Sequence, residues 1–371
     1  MKIKLSFLLM LSIVFPLIGQ ERPADSVLVA FWNLENFFDP FLDSTRSYND
    51  YTEEGLQHWT ASRFYRKRNN LYKAILAFSE GTAIGIFGVC EVENDFVLNA
   101  LFGQTPLQRH HYRWVHYEGP DRRGIDPAIV YSLDRFRLLA SEAIPYRNPD
   151  DPEAVSRDLL YAKFFDYRED TVHCFVNHWP SKYRGELETV GARNAAARIL
   201  RHKVDSLQAV SPVPPKILIM GDFNDTPEAP CIRKVLGALP YTAAVETEAE
   251  SPAVRSRYVG DGASPAPHEE SGSAPREALV NLFADNAALG FKGTLKYRKT
   301  WSVFDQIIVS KALINSNSLH CNSSDARIVN EAFLLEEDPT YHGQKLNRTY
   351  LGPSYHGGFS DHLPVVLLLR Y

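Results

Sequence analysis

Apolar residues along the chain come in short runs separated by polar segments, and the runs follow two periods. Val27–Asn33 (VLVAFWN), Ile84–Glu93 (IGIFGVCEVE), Pro127–Ser132 (PAIVYS) and Leu159–Phe165 (LLYAKFF) are rich in β-branched and aromatic residues. Val172–Trp179 (VHCFVNHW), Lys216–Asp222 (KILIMGD), Ser302–Ser310 (SVFDQIIVS) and Leu363–Tyr371 (LPVVLLLRY) have the same character. Runs of this length and composition predict strands. In Ser62–Glu80 and Gly191–Val210 the apolar positions recur instead at three- and four-residue spacing, which predicts amphipathic helices, the first capped by Ser62. Strands interspersed with a few helices predict a layered α/β architecture with helices on the outer faces. No repeat of twenty to fifty residues is visible, which excludes solenoids and propellers.

Thr247–Ala278 breaks the pattern: it is rich in Ser, Pro, Ala, Gly and Glu and lacks apolar periodicity, so it reads as a surface-loop insertion. Strand patterns resume after it, which predicts one domain over residues 20–371. At the other end, Lys2 and Lys4 precede an apolar run that ends near Gly19. That layout predicts a signal peptide over residues 1–19, because the run is short for a membrane span. Export to the periplasm or the extracellular space, without a stable membrane anchor after processing, is the expectation.

Composition adds few constraints. At 371 residues, 44% hydrophobic and 23% charged, the chain can bury a sizeable core. Its formal charge of −5, or −7 once Lys2 and Lys4 are removed, excludes a dedicated nucleic-acid coat protein, so any nucleic-acid contact must be local. Cys90, Cys174, Cys231 and Cys321 are widely spaced, which excludes a thiolate zinc site and leaves their redox state open.

Candidate chemistry appears where the strands end. Asn33 and Glu35 follow the first run, Glu91 and Glu93 the second, and Asn177 and His178 the fifth. Asp222 and Asn224 follow ILIMG; Asp305 sits in WSVFDQIIVS; Asp361 and His362 precede the last run. Taken singly, SDH and GDFND are ordinary turn sequences, and alternating Glu91 and Glu93 fit a solvated face. Their recurrence at the same kind of place points to a shared rim, where α/β ligand crevices lie. The carboxylates are hard oxygen donors suited to Mg²⁺ or Mn²⁺, and the histidines can donate to anionic oxygens and move protons.

FWNLENFFD, VCEVEN, RRGIDPAIVY, NHWPS, GDFNDTP, FDQIIVS and SDHLPV together resemble, in the same order, the motifs of the endonuclease/exonuclease/phosphatase superfamily with the DNase I-like fold. The resemblance covers nearly the whole chain after residue 19. It implies a four-layered α/β sandwich, two packed mixed β-sheets flanked by helices, and a divalent metal, Mg²⁺ or Mn²⁺, used to hydrolyse phosphoesters. It further implies that Asn33, Glu91 and Asp361 hold or border the metal, that Asp222 orients or deprotonates the attacking water, and that Asn224 binds phosphate. Asp305 would pair with His362, and His178 would donate to the phosphate or the leaving oxygen. Asn177, Arg123 and Asp126 are further expected substrate-side residues, Arg123 as a phosphate contact and Asp126 as a partner of His178.

NHWPSKYRGE with GARNAAARIL, and GTLKYRKTWSVFDQ, resemble the exported bacterial nucleases of that superfamily, which makes a nucleic-acid substrate and a monomer without protein partners the expectation. Lys182–Tyr183–Arg184 and Lys296–Tyr297–Arg298–Lys299 with Trp301 offer cations and rings for a nucleic-acid strand, though the same residues fit a solvated face over core aromatics. A phosphatase or phospholipase C-like activity on sugar, inositol or sphingolipid phosphates is the alternative. A non-catalytic module is disfavoured because Glu91, Asp361 and His362 are all present.

Overall fold

The computed structural model describes residues 25–41, 48–183, 185–244, 277–285 and 289–371. The predicted signal peptide, Arg184 and nearly all of the predicted insertion at 247–278 lie outside the described residues. In chain order the elements begin with β1 (Ser26–Phe37), α1 (Ala61–Phe78), β2 (Ile84–Val92), the one-turn α2 (Asp95–Leu98), β3 (Tyr112–His116), β4 (Asp126–Ser132) and β5 (Phe136–Ile144). Next come β6 (Leu159–Asp166), β7 (Thr171–His178), α3 (Glu186–Val210), β8 (Lys216–Asp222), β9 (Ala238–Pro240) and β10 (Leu279–Asn281). A hairpin of β11 (Leu295–Tyr297) and β12 (Thr300–Ser302) leads into β13 (Asp305–Ser310) and β14 (Ala326–Ile328). The short strands β15 (Leu335–Glu337), β16 (Gln344–Leu346), β17 (Tyr350–Leu351) and β18 (Ser354–Tyr355) precede β19 (Val365–Arg370).

Two mixed sheets form, in the orders β14-β19-β1-β2-β4-β3 and β5-β6-β7-β8-β13-β10-β9. Their inner faces touch at Gly88, where a Cβ would meet Met220 Sδ at 2.7 Å and Val176 Cγ2 at 2.8 Å. Glycine is thus required there by the closeness of the sheets. Helix α1 covers the first sheet, with Phe78 edge-on to Trp32, and α3 covers the second through Ala196, Leu200 and Val204 against Phe175, Ile217 and Ile219. The layers are therefore helix, sheet, sheet, helix, the four-layered α/β sandwich expected.

Some boundaries differ from the sequence reading. Helix α1 is capped by Thr60, whose hydroxyl accepts from Arg63 N–H, and not by Ser62. Helix α3 starts five residues earlier than predicted, since Glu186 and Glu188 favour its positive N-terminal end although that turn has no apolar stripe. The run at Ser302–Ser310 is split, its first residue closing the β11–β12 hairpin. Strands β3 and β5 were hidden because they are half-exposed and carry mixed side chains. All four cysteines are free and buried. No helix among the described residues is long and apolar enough to cross a membrane.

Candidate active site

The ladder registers bring the predicted residues together. His178 on β7 and Asp305 on β13 are both paired with Asp222 on β8, so three functional side chains sit abreast on adjacent strands. In the facing sheet, Asn33 and Glu91 lie at irregularities in the β1–β2 ladder, and Asp361 and His362 lie just before β19, antiparallel to β1. All therefore meet at one end of the sandwich. Ser360 Oγ donates to the Asn33 carbonyl at 2.6 Å and Trp32 Nε1 donates to the His362 carbonyl at 2.8 Å, which clamps the SDH turn onto β1.

The centre is built around one carboxylate. Asp222 Oδ2 accepts from Asn33 Nδ2 at 3.1 Å and lies 3.7 Å from His178 Nε2 and 3.8 Å from His362 Nε2. Its Oδ1 accepts the backbone N–H of Asn224 at 2.9 Å. Burial raises the Asp222 pKa to about 7, with Asp305 and Glu91 adding to the rise while His362 and the Asn224 N–H oppose it. His362 Nδ1 is 2.7 Å from Asp305 Oδ2; burial works against the charged ring, but Asp305 and Asp222 outweigh it and hold His362 well above its ordinary value. His178 moves the opposite way, through burial first and then the charges of Arg157, Arg123 and His362, so it stays neutral. The two imidazoles are thus biased in opposite directions, His362 towards the cation and His178 towards the neutral ring, each facing the same oxygen.

Backbone strain marks the same place. Glu35, Asn36, Glu91 and Asn224 all have φ between 49° and 60°, a region that costs free energy for residues with a Cβ. Side-chain bonds hold them there: Asn36 N–H donates to Glu91 Oε2 at 2.8 Å and Glu35 N–H to Asn33 Oδ1 at 2.9 Å.

Several expectations need correction. Asn33 uses its amide NH₂ to tie Asp222 to Glu91, at 3.1 and 3.4 Å, while its oxygen accepts from Glu35, so it orients two carboxylates more directly than it ligates. Asn177, expected beside substrate, points to the opposite face of β7 from His178, by the period of a strand. It is fully buried, donating to the Met220 carbonyl and accepting from Trp179 Nε1. Asp126 accepts from Gly119 N–H at 3.1 Å and stands 3.9 Å from His116 Nε2. It does not partner His178, whose Nδ1 meets no hydrogen-bond partner among the described residues. Asn224 does not continue the strand: it turns left-handed and its side chain donates to the Trp179 carbonyl at 2.9 Å. The bend falls at Asn224 and not at Gly221, which lies within β8, where a Cβ would come 2.4 Å from the Asn177 carbonyl oxygen and glycine serves the close strand contact. Arg123 remains partly exposed, 3.6 Å from Asp121, and is close enough to act on His178 by charge.

Three buried or half-buried cations escaped the sequence reading. Lys67 of α1 reaches the Glu35 carbonyl at 2.6 Å and the Thr349 hydroxyl. Arg348 bridges Glu35 Oε1 at 3.1 Å and Asp361 Oδ2 at 2.8 Å, and Arg157 donates to the Trp179 carbonyl at 2.9 Å. Lys67 had a legible signal, since it falls on the apolar stripe of Phe64, Leu71, Ile75 and Phe78. Lys296, read as a nucleic-acid contact or part of a solvated face, instead holds Asp338 at 2.7 Å, while Trp301 packs on Phe291 as a core aromatic.

A divalent cation fits Glu91 and Asp361. Glu91 Oε1 has only distant contacts, Asn33 Nδ2 at 3.4 Å and His178 Nε2 at 3.7 Å, so a hard oxygen keeps its coordinating capacity. Asp222, Asp305 and His362 also bring ligating atoms within 4.8 Å of one another, with His362 Nδ1 engaged by Asp305 Oδ2 at 2.7 Å. Both groups of oxygen donors lie at the same end of the sandwich.

Comparisons with known proteins agree with this geometry. The chain matches the model of the endonuclease/exonuclease/phosphatase family over residues 28–249 and 267–371. A comparison with curated proteins found no match. Among solved structures, a family protein from Bacteroides thetaiotaomicron superposes with a TM-score of 0.53 at 14% identity, covering 93% of this chain and 95% of that one. A mannosyl-6-phosphatase from the same organism gives 0.52 at 15% identity, covering 93% and 100%. TDP2 of D. rerio, complexed with a single-strand DNA product, gives 0.51 at 13%, covering 93% and 99%. These likenesses are of fold. Together with the family match along most of its length, they show that this chain belongs to the endonuclease/exonuclease/phosphatase family, whose members hydrolyse phosphoester bonds.

Proposed function

We propose that the protein is an exported, divalent-metal-dependent phosphodiesterase that hydrolyses nucleic acid. The observation that carries the reading is the geometry around Asp222, whose Oδ2 faces His178 Nε2 at 3.7 Å and His362 Nε2 at 3.8 Å, with Asp305 bonded to the far side of His362. In-line attack on phosphorus needs a base at the water and a cation at the phosphate oxygens. Asp222, with a pKa of about 7, takes the water's proton on Oδ2 at neutral pH. His362, held cationic by Asp305, donates from Nε2 to a phosphate oxygen. Neutral His178 donates from Nε2 to the phosphate or to the leaving oxygen, and Asn33 fixes the base. Glu91 and Asp361 would hold the metal, Mg²⁺ or Mn²⁺, which when bound neutralises charge developing on the phosphate. Arg123 is the candidate cation on the exposed side. The N-terminal Lys2, Lys4 and apolar run support export, and the acidic net charge fits local contact with nucleic acid.

The test is incubation of the mature protein with plasmid DNA, RNA, bis(p-nitrophenyl) phosphate, a sugar phosphate and an inositol phosphate, with and without EDTA. Metal-dependent cleavage of a nucleic acid is expected. Hydrolysis confined to sugar or inositol phosphates would replace the substrate class, and no hydrolysis at all would refute the reading.

A further inference from the structure

The segment Phe291–Phe304 (FKGTLKYRKTWSVF) contains four cations and no acid in a chain of net charge −5. It is fastened to the catalytic end. Thr294 Oγ1 accepts the backbone N–H of both Phe304 and Asp305 at 3.1 Å, and the Thr294 carbonyl accepts from Leu363 N–H, next to His362, at 2.8 Å. From this base the β11–β12 hairpin projects with one face anchored, through Lys296 on Asp338 and Trp301 on Phe291. By the strand period Tyr297 and Thr300 occupy the other face, and Arg298 and Lys299 form the turn. Tyr297 is 69% exposed, with the Arg298 guanidinium 5.3 Å from its ring centre.

A second ring stands beside this hairpin. The Lys182 ammonium lies 5.5 Å from the ring centre of Phe304, the residue between the hairpin and Asp305, so the loop after His178 adjoins the hairpin base. Lys182 itself is tied to Glu186 and Asp225, at 2.9 and 2.7 Å, while its neighbour Tyr183 is 96% exposed. Two large rings thus stand in water on adjoining loops that lead directly to His178 and Asp305. Packing explains neither, because Tyr297 and Tyr183 bury little surface where they are.

We propose that this rim is an outer subsite for unpaired nucleotides, with Tyr297 and Tyr183 as stacking platforms and Arg298 and Lys299 as backbone phosphate contacts. The proposal rests on the nucleic-acid reading and narrows it to single strands. A protruding ring stacks on a base whose face is free, and duplex bases already have their faces covered by their neighbours. Arg298 stacked on Tyr297 adds a cation beside each base that stacks there.

Binding is to be measured by fluorescence anisotropy in EDTA, which stops turnover, using a labelled 15-nucleotide single strand and the matching duplex over a range of salt. Wild type is expected to bind the single strand at least tenfold tighter. Tyr297→Ala is expected to weaken single-strand binding roughly five- to hundredfold. Arg298→Gln with Lys299→Gln is expected to lower the slope of log K against log salt by about 1.4, two phosphates at about 0.7 each. The ratio of kcat/KM for the single strand to that for bis(p-nitrophenyl) phosphate is expected to fall at least tenfold in Tyr297→Ala with Tyr183→Ala. Equal binding of duplex and single strand, or variants that bind as wild type does, would overturn the subsite. Small-diester hydrolysis without binding of either strand would overturn it too and leave the phosphodiesterase chemistry standing. Loss of all hydrolysis with single-strand binding intact would refute the catalytic reading and support the rim.

Discussion

Asp305 Oδ2 lies 2.7 Å from His362 Nδ1, and the two residues are supplied by different sheets: Asp305 opens β13 of the second, while His362 precedes β19 of the first. The bond is therefore an inter-sheet contact at the mouth of the sandwich as well as a means of charging the imidazole. Asp305→Asn leaves a ring that can be held but is no longer biased towards the cation. Activity on bis(p-nitrophenyl) phosphate is expected to fall about 10²–10⁴-fold in kcat, the usual range for losing a positioned proton donor. A fall of less than threefold, with the fold intact by circular dichroism, would remove the pair from the chemistry.

Asn33 supplies the only side-chain amide that touches both Asp222 and Glu91 in the described hydrogen bonds. Asn33→Ala leaves the buried Asp222 and the half-buried Glu91 without that donor. A hydrogen bond to a charged group is worth about 1.5–3 kcal/mol, so kcat/KM is expected to drop roughly ten- to hundredfold. Asn33→Asp is expected to be worse still, because it adds a third like charge. Steady-state kinetics of the two variants decide the matter, and the reverse order would contradict the orienting role.

These two residues also show what could be read from sequence. Strand runs ending in Asn33, Glu91, His178 and Asp222, and the one beginning after Asp361, are legible, because a buried strand needs an apolar run and its end is where polar groups become tolerable. The common rim followed once the strands were taken to lie side by side. Side-chain direction one residue away from a clear signal was not legible: Asn177 adjoins His178 yet points away, and Asn224 leaves the strand by a left-handed turn. Arg348 and Arg157 were missed because their value lies in contacts distant in sequence, Arg348 with Glu35 and Arg157 with Trp179. Edge strands β3 and β5 were missed for the same reason, since partners decide which exposed segment becomes a strand.

Arg193 is fully buried in α3 and donates to Asp225 Oδ2 at 2.8 Å, just beyond the Asp222–Asn224 turn. Gln306, next to Asp305, donates to the Asp225 carbonyl at 2.8 Å. The pair thus joins a helix to two site-bearing strands. Arg193→Leu leaves the Asp225 carboxylate with Lys182 alone, 2.7 Å away, so the loss is expected to fall below the cost of a buried charge left with no partner, about 3–5 kcal/mol. Urea denaturation is expected to show that loss in Arg193→Leu and recovery of part of it in Arg193→Leu with Asp225→Asn. No recovery in the double variant would mean that the ion pair does not account for the loss.

Asp126 gives the molecule a pH dependence of stability. Burial raises its pKa to about 7 from an ordinary 3.8, so between about pH 4 and pH 7 the native state holds a proton that the unfolded chain has released. The unfolded state then binds fewer protons, and stability falls as pH rises through that window, with the full penalty reached above pH 7. Three pKa units correspond to about 4 kcal/mol as an upper bound. Asp126→Asn keeps an acceptor for the Gly119 N–H and removes the titration. The variant is expected to gain on wild type by up to about 3 kcal/mol between pH 5 and pH 8. Denaturant titrations at the two pH values measure it, and a constant difference would place Asp126 at an ordinary pKa.

Glu91 and Asp361 bring negative charge to the rim from either side of β1, and Arg348 already neutralises part of it at Asp361. A divalent cation that binds the folded protein alone must therefore raise its stability, by about 2.7 kcal/mol when present at a hundred times its dissociation constant. Thermal denaturation with added Mg²⁺ or Mn²⁺ is expected to shift upwards, and EDTA to reverse the shift. Glu91→Ala removes the carboxylate whose Oε1 has the weakest internal contacts, so the metal-dependent shift is expected to disappear in that variant. The same substitution relieves like-charge repulsion at Asp222 but removes the acceptor of the Asn36 N–H, so the metal-dependent shift of each protein is taken from its own stability in EDTA. A metal shift that survives in Glu91→Ala would move the cation to other ligands, and the Asp222, Asp305 and His362 trio would then be the first place to look.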